Sequence, residues 1–197
     1  MDLKAYRMVD TWAKELNGVF ALSDLKVLFS QQPEATLYRT VKDMVRQGSL
    51  IKVKRGIYAS PDAALPVISA KIAPEAYIST GTVLTAKALI GSVPARKVQA
   101  VKIGRPRLYQ CTLGTIEHLS IDPRLYFGFI SVDGILTATP EKAFLDVCYF
   151  YYKGKRFSFD PATDIAVKGF DPGVISEFLK QYDPRFAAFF RKVWRPL

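Results

Sequence analysis

Between Thr36 and Gly56 the chain sets hydroxyl, amine and guanidinium groups at intervals that suit a nucleic acid: Thr36, Tyr38, Arg39, Thr40, Lys42 and Arg46, then Lys52, Lys54 and Arg55. Phosphate oxygens take donors from Lys and Arg, and base edges in the major groove take directional donors and acceptors from side chains of these kinds. A second basic group, Arg96, Lys97, Lys102, Arg105 and Arg107, lies in a stretch with no acidic residue between Glu75 and Glu117. DNA phosphates, an acidic protein surface and plain solvation all fit it. A third group, Pro140, Glu141, Lys142 and Asp146, places one acid four residues beyond a lysine inside an apolar run. That spacing suits an internal ion pair or a cap to a neighbouring loop, so structural support is its first reading.

Catalytic chemistry finds less to work with. The single histidine, His118, sits in Thr115-Ile-Glu-His-Leu-Ser-Ile121, which alternates like a strand, and no partner that would tune a general base is identifiable beside it. A nuclease needs clustered carboxylates for a divalent metal, whereas Glu141 and Lys142 are adjacent and point about 100° apart on a helix. Gly104 and Gly114 are too isolated for a phosphate-cradling loop. Cys111 and Cys148 are far apart and lack neighbours at ligand spacing, which argues against a disulfide framework or a zinc site. The expectation is a protein that is not an enzyme and uses no metal or cofactor.

The elements that must position these groups follow from periodicity. Tyr6, Val9, Ala13 and Leu16 recur at helical spacing, giving a first helix over 2–16 that Asn17-Gly18 stops. Ser23 reads as the cap of a short second helix that buries Leu25, Leu28 and Phe29. Pro33 and Glu34 open a third helix that Gly48 closes; Leu37, Val41, Met44 and Val45 form its core face, with Arg39, Lys42 and Arg46 opposite. Leu50-Ile-Lys-Val-Lys, Arg55-Gly56 and Ile57-Tyr-Ala then describe a basic hairpin. Three helices plus a basic hairpin predict a winged helix-turn-helix over residues 1–60, with the third helix in the major groove and the wing on the flanking backbone. A merely solvated basic face is the competing interpretation.

Two prolines mark 61–66 as a linker, and 67–197 predicts a mixed α+β domain. Tyr77-Ile-Ser opens it, a helix over 82–90 ends at Gly91, and strands follow at 98–103, 107–112, 115–121, 126–132 and 135–138. Thr139-Pro140, Asp171-Pro172 and Asp183-Pro184 each set a capping side chain before a proline at the first helical position. The fold class expected is therefore α+β.

With 28 Lys plus Arg against 18 Asp plus Glu, the chain carries +10 over 197 residues, a balance that favours a nucleic-acid partner. Residues 36–56 hold six Lys or Arg and one acid, and 76–116 hold six and none, so the excess sits in two patches. The longest apolar run, Phe144 to Tyr152, is interrupted by Asp146 and falls short of the roughly 20 residues a membrane span needs. Residues 1–16 do not resemble a signal peptide, and a cytoplasmic location with no membrane partner is expected.

Thr36-Leu-Tyr-Arg-Thr-Val-Lys42 followed by Gly48-Ser-Leu-Ile-Lys-Val-Lys-Arg-Gly-Ile-Tyr58 resembles the N-terminal signature of the AbiEi antitoxin family. Ala138-Thr-Pro-Glu-Lys-Ala-Phe-Leu-Asp146 resembles its second signature, and Tyr77-Ile-Ser79 matches in kind, so the resemblance spans about residues 5 to 190. It implies a winged-helix regulator with an antitoxin-type C-terminal domain, from a bacterial toxin-antitoxin and phage-defence (abortive infection) operon. Such a protein represses its own operon at inverted repeats in double-stranded DNA. It also counters a nucleotidyltransferase-like toxin without necessarily binding it. DNA contact falls by resemblance on Arg39, Lys42, Arg46, Lys52, Lys54 and Arg55, while the antitoxic residues stay unassigned. A solitary regulator, or a protein-interaction module without a toxin, is the alternative.

Overall fold

In the computed structural model, residues 3–91 and 94–194 are described, and they form a mixed α+β protein with eight α-helices and two sheets. The expected helix start at Asp2 lies outside the described residues. Two compact units divide the chain: one runs to Pro74 and includes Leu108–Ile116, the other comprises Glu75–Arg107 and the chain from Glu117 onward.

The first unit begins with α1 (Leu3–Glu15), β1 (Val19–Ala21), α2 (Leu22–Leu28) and α3 (Glu34–Arg46), followed by β2 (Ile51–Lys54) and β3 (Ile57–Ala59). Ala5 and Val9 of α1, Leu25 of α2, Leu37, Val41 and Met44 of α3, Phe20, Phe29 and Leu50 form one buried cluster. β3 is the middle strand of an antiparallel sheet, pairing Ala59 with both Val19 and Ile51. Asn17 and Gly18 stop α1 as expected, both with positive φ. What they lead into is β1, a strand too short to show a period of two.

Ser23 is not the cap of α2. The helix starts one residue earlier, and the Asp24 carboxylate accepts the Ala21 N–H at 2.8 Å and the Lys71 amine at 2.7 Å. That lysine belongs to α4 (Leu65–Ile72), which packs on β1 and β3. One of the two prolines behind the expected linker over 61–66 has another role. Pro66 stands in the first turn of α4, where its missing N–H costs nothing.

The second sheet has the order β6-β7-β5-β4-β9-β8, with β4 (Tyr77–Ile78), β5 (Lys97–Lys102), β6 (Arg107–Cys111), β7 (Gly114–Ser120), β8 (Phe129–Val132) and β9 (Ile135–Ala138). Ile78 pairs parallel with Thr137 and antiparallel with Ala100, which places β4 near the middle. Asp133 and Gly134, both at positive φ, close the β8–β9 hairpin in the manner such two-residue turns require. The helix expected over 82–90 is shorter, α5 (Gly81–Ala86). The strand expected from Tyr126 begins at Phe129, because Asp122-Pro123 caps a 3-10 turn first.

All three cap-proline signals open helices. Thr139 Oγ1 accepts the Lys142 N–H before α6 (Pro140–Tyr152), Asp171 accepts those of Gly173 and Val174 before α7 (Pro172–Leu179), and Asp183 accepts that of Arg185 before α8 (Pro184–Val193). Phe144 of α6 stacks on Phe170 at 4.5 Å and meets Phe190 and Trp194 edge-on, so α6 is the core helix of this unit. Among the described residues no helix is long and apolar enough to cross a membrane.

Candidate nucleic-acid interface and a buried cluster

α3 separates its faces cleanly. Leu37, Val41 and Met44 are buried, Val45 is half-buried, and Thr36, Tyr38, Arg39, Lys42 and Arg46 are exposed, with Thr40 at the margin. Ser49 and Leu50 both donate their N–H to the Met44 carbonyl, which ties the end of the helix to the start of β2. Lys52 stands exposed on β2, Lys54 is half-buried behind a register shift, and Arg55 is exposed in the turn where Gly56 adopts φ +79°.

Among the described residues, Arg39, Lys42, Lys52 and Arg55 form no ion pair with a carboxylate, whereas Arg46 reaches Asp43 at 2.9 Å. The first turn of α3 also anchors a small network that the spacing alone did not predict, centred on Glu34. Glu34 accepts from Lys26 at 2.7 Å and from the Tyr38 hydroxyl at 3.2 Å. The Lys26 hydrogen bond holds the Glu34 carboxyl below its usual range. The i, i+4 spacing of Glu34 and Tyr38 was the available signal; Lys26 comes from another helix and left none.

The second basic group is divided. Lys97 lies 2.9 Å from Glu117, which also takes the Lys155 amine and the Gln99 amide. Burial pushes the Glu117 carboxyl up, but those donors outweigh it and hold it at about 2. Gln99 in turn accepts from Thr80 Oγ1 at 2.8 Å, and Thr80 is a fully buried β-branched residue at φ 54°. A conformation of that kind costs about 1–3 kcal/mol and persists where its surroundings fix it. Arg96, Arg105 and Arg107 are exposed, and the Lys102 amine donates to the Ile103 carbonyl at 3.1 Å.

Lys142 and Asp146 are fully enclosed and 2.5 Å apart on successive turns of α6. The other carboxylate oxygen accepts from Ser79 at 2.7 Å and from the Tyr77 hydroxyl at 3.0 Å, while Lys142 also donates to Tyr182 at 3.0 Å. Burial pushes Asp146 up from its ordinary range, opposed by Lys142 and the two hydroxyls; Tyr77 and Tyr182 are pushed up as well, first by burial and then by the Asp146 charge. The Phe127 ring lies 4.8 Å from the ammonium. Gly128, at φ +73°, admits this arrangement, since a Cβ there would meet Lys142 carbons at 3.0 Å. Glu141 points elsewhere and accepts the Asp171 N–H at 3.4 Å. His118 is buried on β7, Cys148 is buried in α6 and Cys111 is half-buried on β6.

Neither a known family model nor any functionally curated protein matches this chain.

Proposed function

We propose that the chain is a DNA-binding transcriptional regulator of the cytoplasm, not an enzyme, whose first unit works as a winged helix-turn-helix. α2 and α3 are the helix pair, α3 enters the major groove, and β2–β3 is the wing. One observation carries this reading: Arg39 and Lys42 project without acidic partners from a helix whose opposite face is fixed in a core, next along the chain to a strand pair bearing Lys52, Lys54 and Arg55. Arg46 of the same helix, by contrast, pairs with Asp43 three residues before it. If these five cations and Arg46 together neutralise about six phosphates, log affinity falls against log salt with a slope near −5. A slope near zero on the promoter upstream of its own reading frame removes the proposal.

The resemblance to AbiEi antitoxins extends the reading to repression of its own operon at inverted repeats and to counteraction of a nucleotidyltransferase-like toxin. The motif residues behind that resemblance, Tyr77, Ser79, Lys142 and Asp146, meet in one buried cluster. Their convergence supports a shared framework for the second unit and gives the motif a physical cause. Co-expression with a nucleotidyltransferase-like toxin of the AbiE type tests the antitoxin half: the chain rescues growth, and a chain carrying Arg39→Ala and Lys42→Ala shows whether rescue needs DNA. Failure of the unaltered chain to rescue leaves a solitary regulator or a protein-interaction module.

A further inference from the structure

The connection between β5 and β6 is a candidate for direct base reading. These strands are not neighbours, because β7 lies between them, so residues 103–106 must cross the end of the sheet. Every residue from Ile103 to Arg107 is exposed. The sequence there is Lys102-Ile-Gly-Arg-Pro-Arg107. Among the described residues none of its three cations pairs with a carboxylate, which leaves Arg105 and Arg107 free to meet a partner's charge.

We infer that this crossing is a minor-groove arm for A·T-rich double-stranded DNA, with Arg105 the residue that reads the groove floor. The inference rests on the proposed DNA binding and adds a second recognition element to it. The groove is only about 6 Å wide, and an entering backbone must be slim. Gly104 carries no side chain, sits at φ +90° and has only the Lys102 amine, at 3.8 Å, near the place of a Cβ. Pro106 adds a short side chain without rotamers and presents no N–H. The floor of an A·T groove offers acceptors alone, whereas guanine adds an amino donor. A guanidinium is all donor, so it matches the first and conflicts with the second. Narrow A·T tracts also concentrate negative potential, which favours arginine over bulk phosphate contact. Ile103, 42 % exposed between cations, has no use in phosphate binding but suits the apolar walls of a groove or a base step. An acidic protein surface would use the cations and leave the glycine and the apolar tip without a role.

Fluorescence anisotropy of the 197-residue chain on three duplexes of equal length, alternating A·T, G·C and I·C, tests this. Inosine lacks the guanine amino group, so I·C presents a G·C-like major groove and an A·T-like minor groove. The expected order is A·T and I·C alike, both about tenfold tighter than G·C, and netropsin displaces the chain from both. Arg105→Ala collapses that ratio, and Arg105→Lys, which keeps the charge without the planar fork, loses most of it. Since Arg105 is exposed, both variants keep the fold. I·C behaving like G·C overturns the inference, as does an unchanged ratio in Arg105→Ala, or loss of binding to a polyglutamate peptide as the sole effect of that variant. Arg39→Ala separates the two levels. If it weakens binding while Arg105→Ala changes nothing, the arm falls and the recognition helix stands; the reverse removes the helix and keeps the arm.

Discussion

α3 and α6 both run for 13 residues and both carry a lysine, yet Lys42 is exposed while Lys142 is wholly enclosed. α3 is amphipathic, and Arg39 and Lys42 on its exposed face pair with no carboxylate among the described residues. α6 is apolar on nearly every side, so its single ion pair is taken from water at a cost of several kcal/mol per ion and must be matched by partners on all sides. The partners come from Tyr77 on β4, Ser79 just after it, Phe127 before Gly128, and Tyr182. The lesson is that one side-chain type serves architecture where its charge is answered completely and stays available to a partner, as the proposed DNA contact requires, where it is left unanswered.

Breaking the architectural side is expected to have the largest effect. Lys142→Met leaves the Asp146 carboxylate buried with only hydroxyl donors and lowers unfolding free energy by about 3–5 kcal/mol in urea titration. Adding Asp146→Leu restores most of the loss, since an apolar pair no longer strands a charge. A cost of only a few tenths for the single change would mean that the cluster is not a framework. On the recognition side, Arg39→Ala leaves unfolding within about 0.5 kcal/mol of the parent but relaxes sequence preference on the promoter by about 1–3 kcal/mol.

Glu117 tests an intermediate case, a carboxylate answered by two amines at partial exposure. Its folded pKa of about 2 lies below the 4.5 of the unfolded group, so its contribution is complete above pH 4.5 and disappears as pH falls through about 2. Glu117→Gln therefore removes part of the acid sensitivity of unfolding, on the order of 1 kcal/mol once solvent screening is allowed for. The smallest effect is expected from Lys52→Ala, which reduces the magnitude of the salt slope by about 1 and weakens all duplexes alike.

Much of this architecture could be read from the residues because local chemistry decides it. A cap before a proline needs only its own first turn, which is why Thr139, Asp171 and Asp183 were legible, and Asp122-Pro123 carried the same signal unread. The Lys142–Asp146 spacing allowed an ion pair or a loop cap for the same reason, and the pair is what forms. Long-range pairing leaves no such trace. β1 is three residues long and exists because β3 passes beside it; the start of α4 at Leu65-Pro66 fell within the expected 61–66 linker because the helix packs only once β1 and β3 are in place. Tyr77 and Tyr182 joined the Asp146 cluster from distant sequence, and no periodicity connects them.

That last fact governs the order in which the second unit can form. Tyr77 and Asp146 are 69 residues apart, Ser79 and Asp146 are 67 apart, and Lys142 and Tyr182 are 40 apart. Closures of such length are slow, and nothing along the way rewards burying the ion pair with half its partners. A chain leaving the ribosome exposes α6 well before Tyr182 arrives, and until then Lys142 keeps water beside it. The cluster is therefore expected to close late and as one cooperative event, which native-state hydrogen exchange checks: the amides of 77–79 and 142–146 open together.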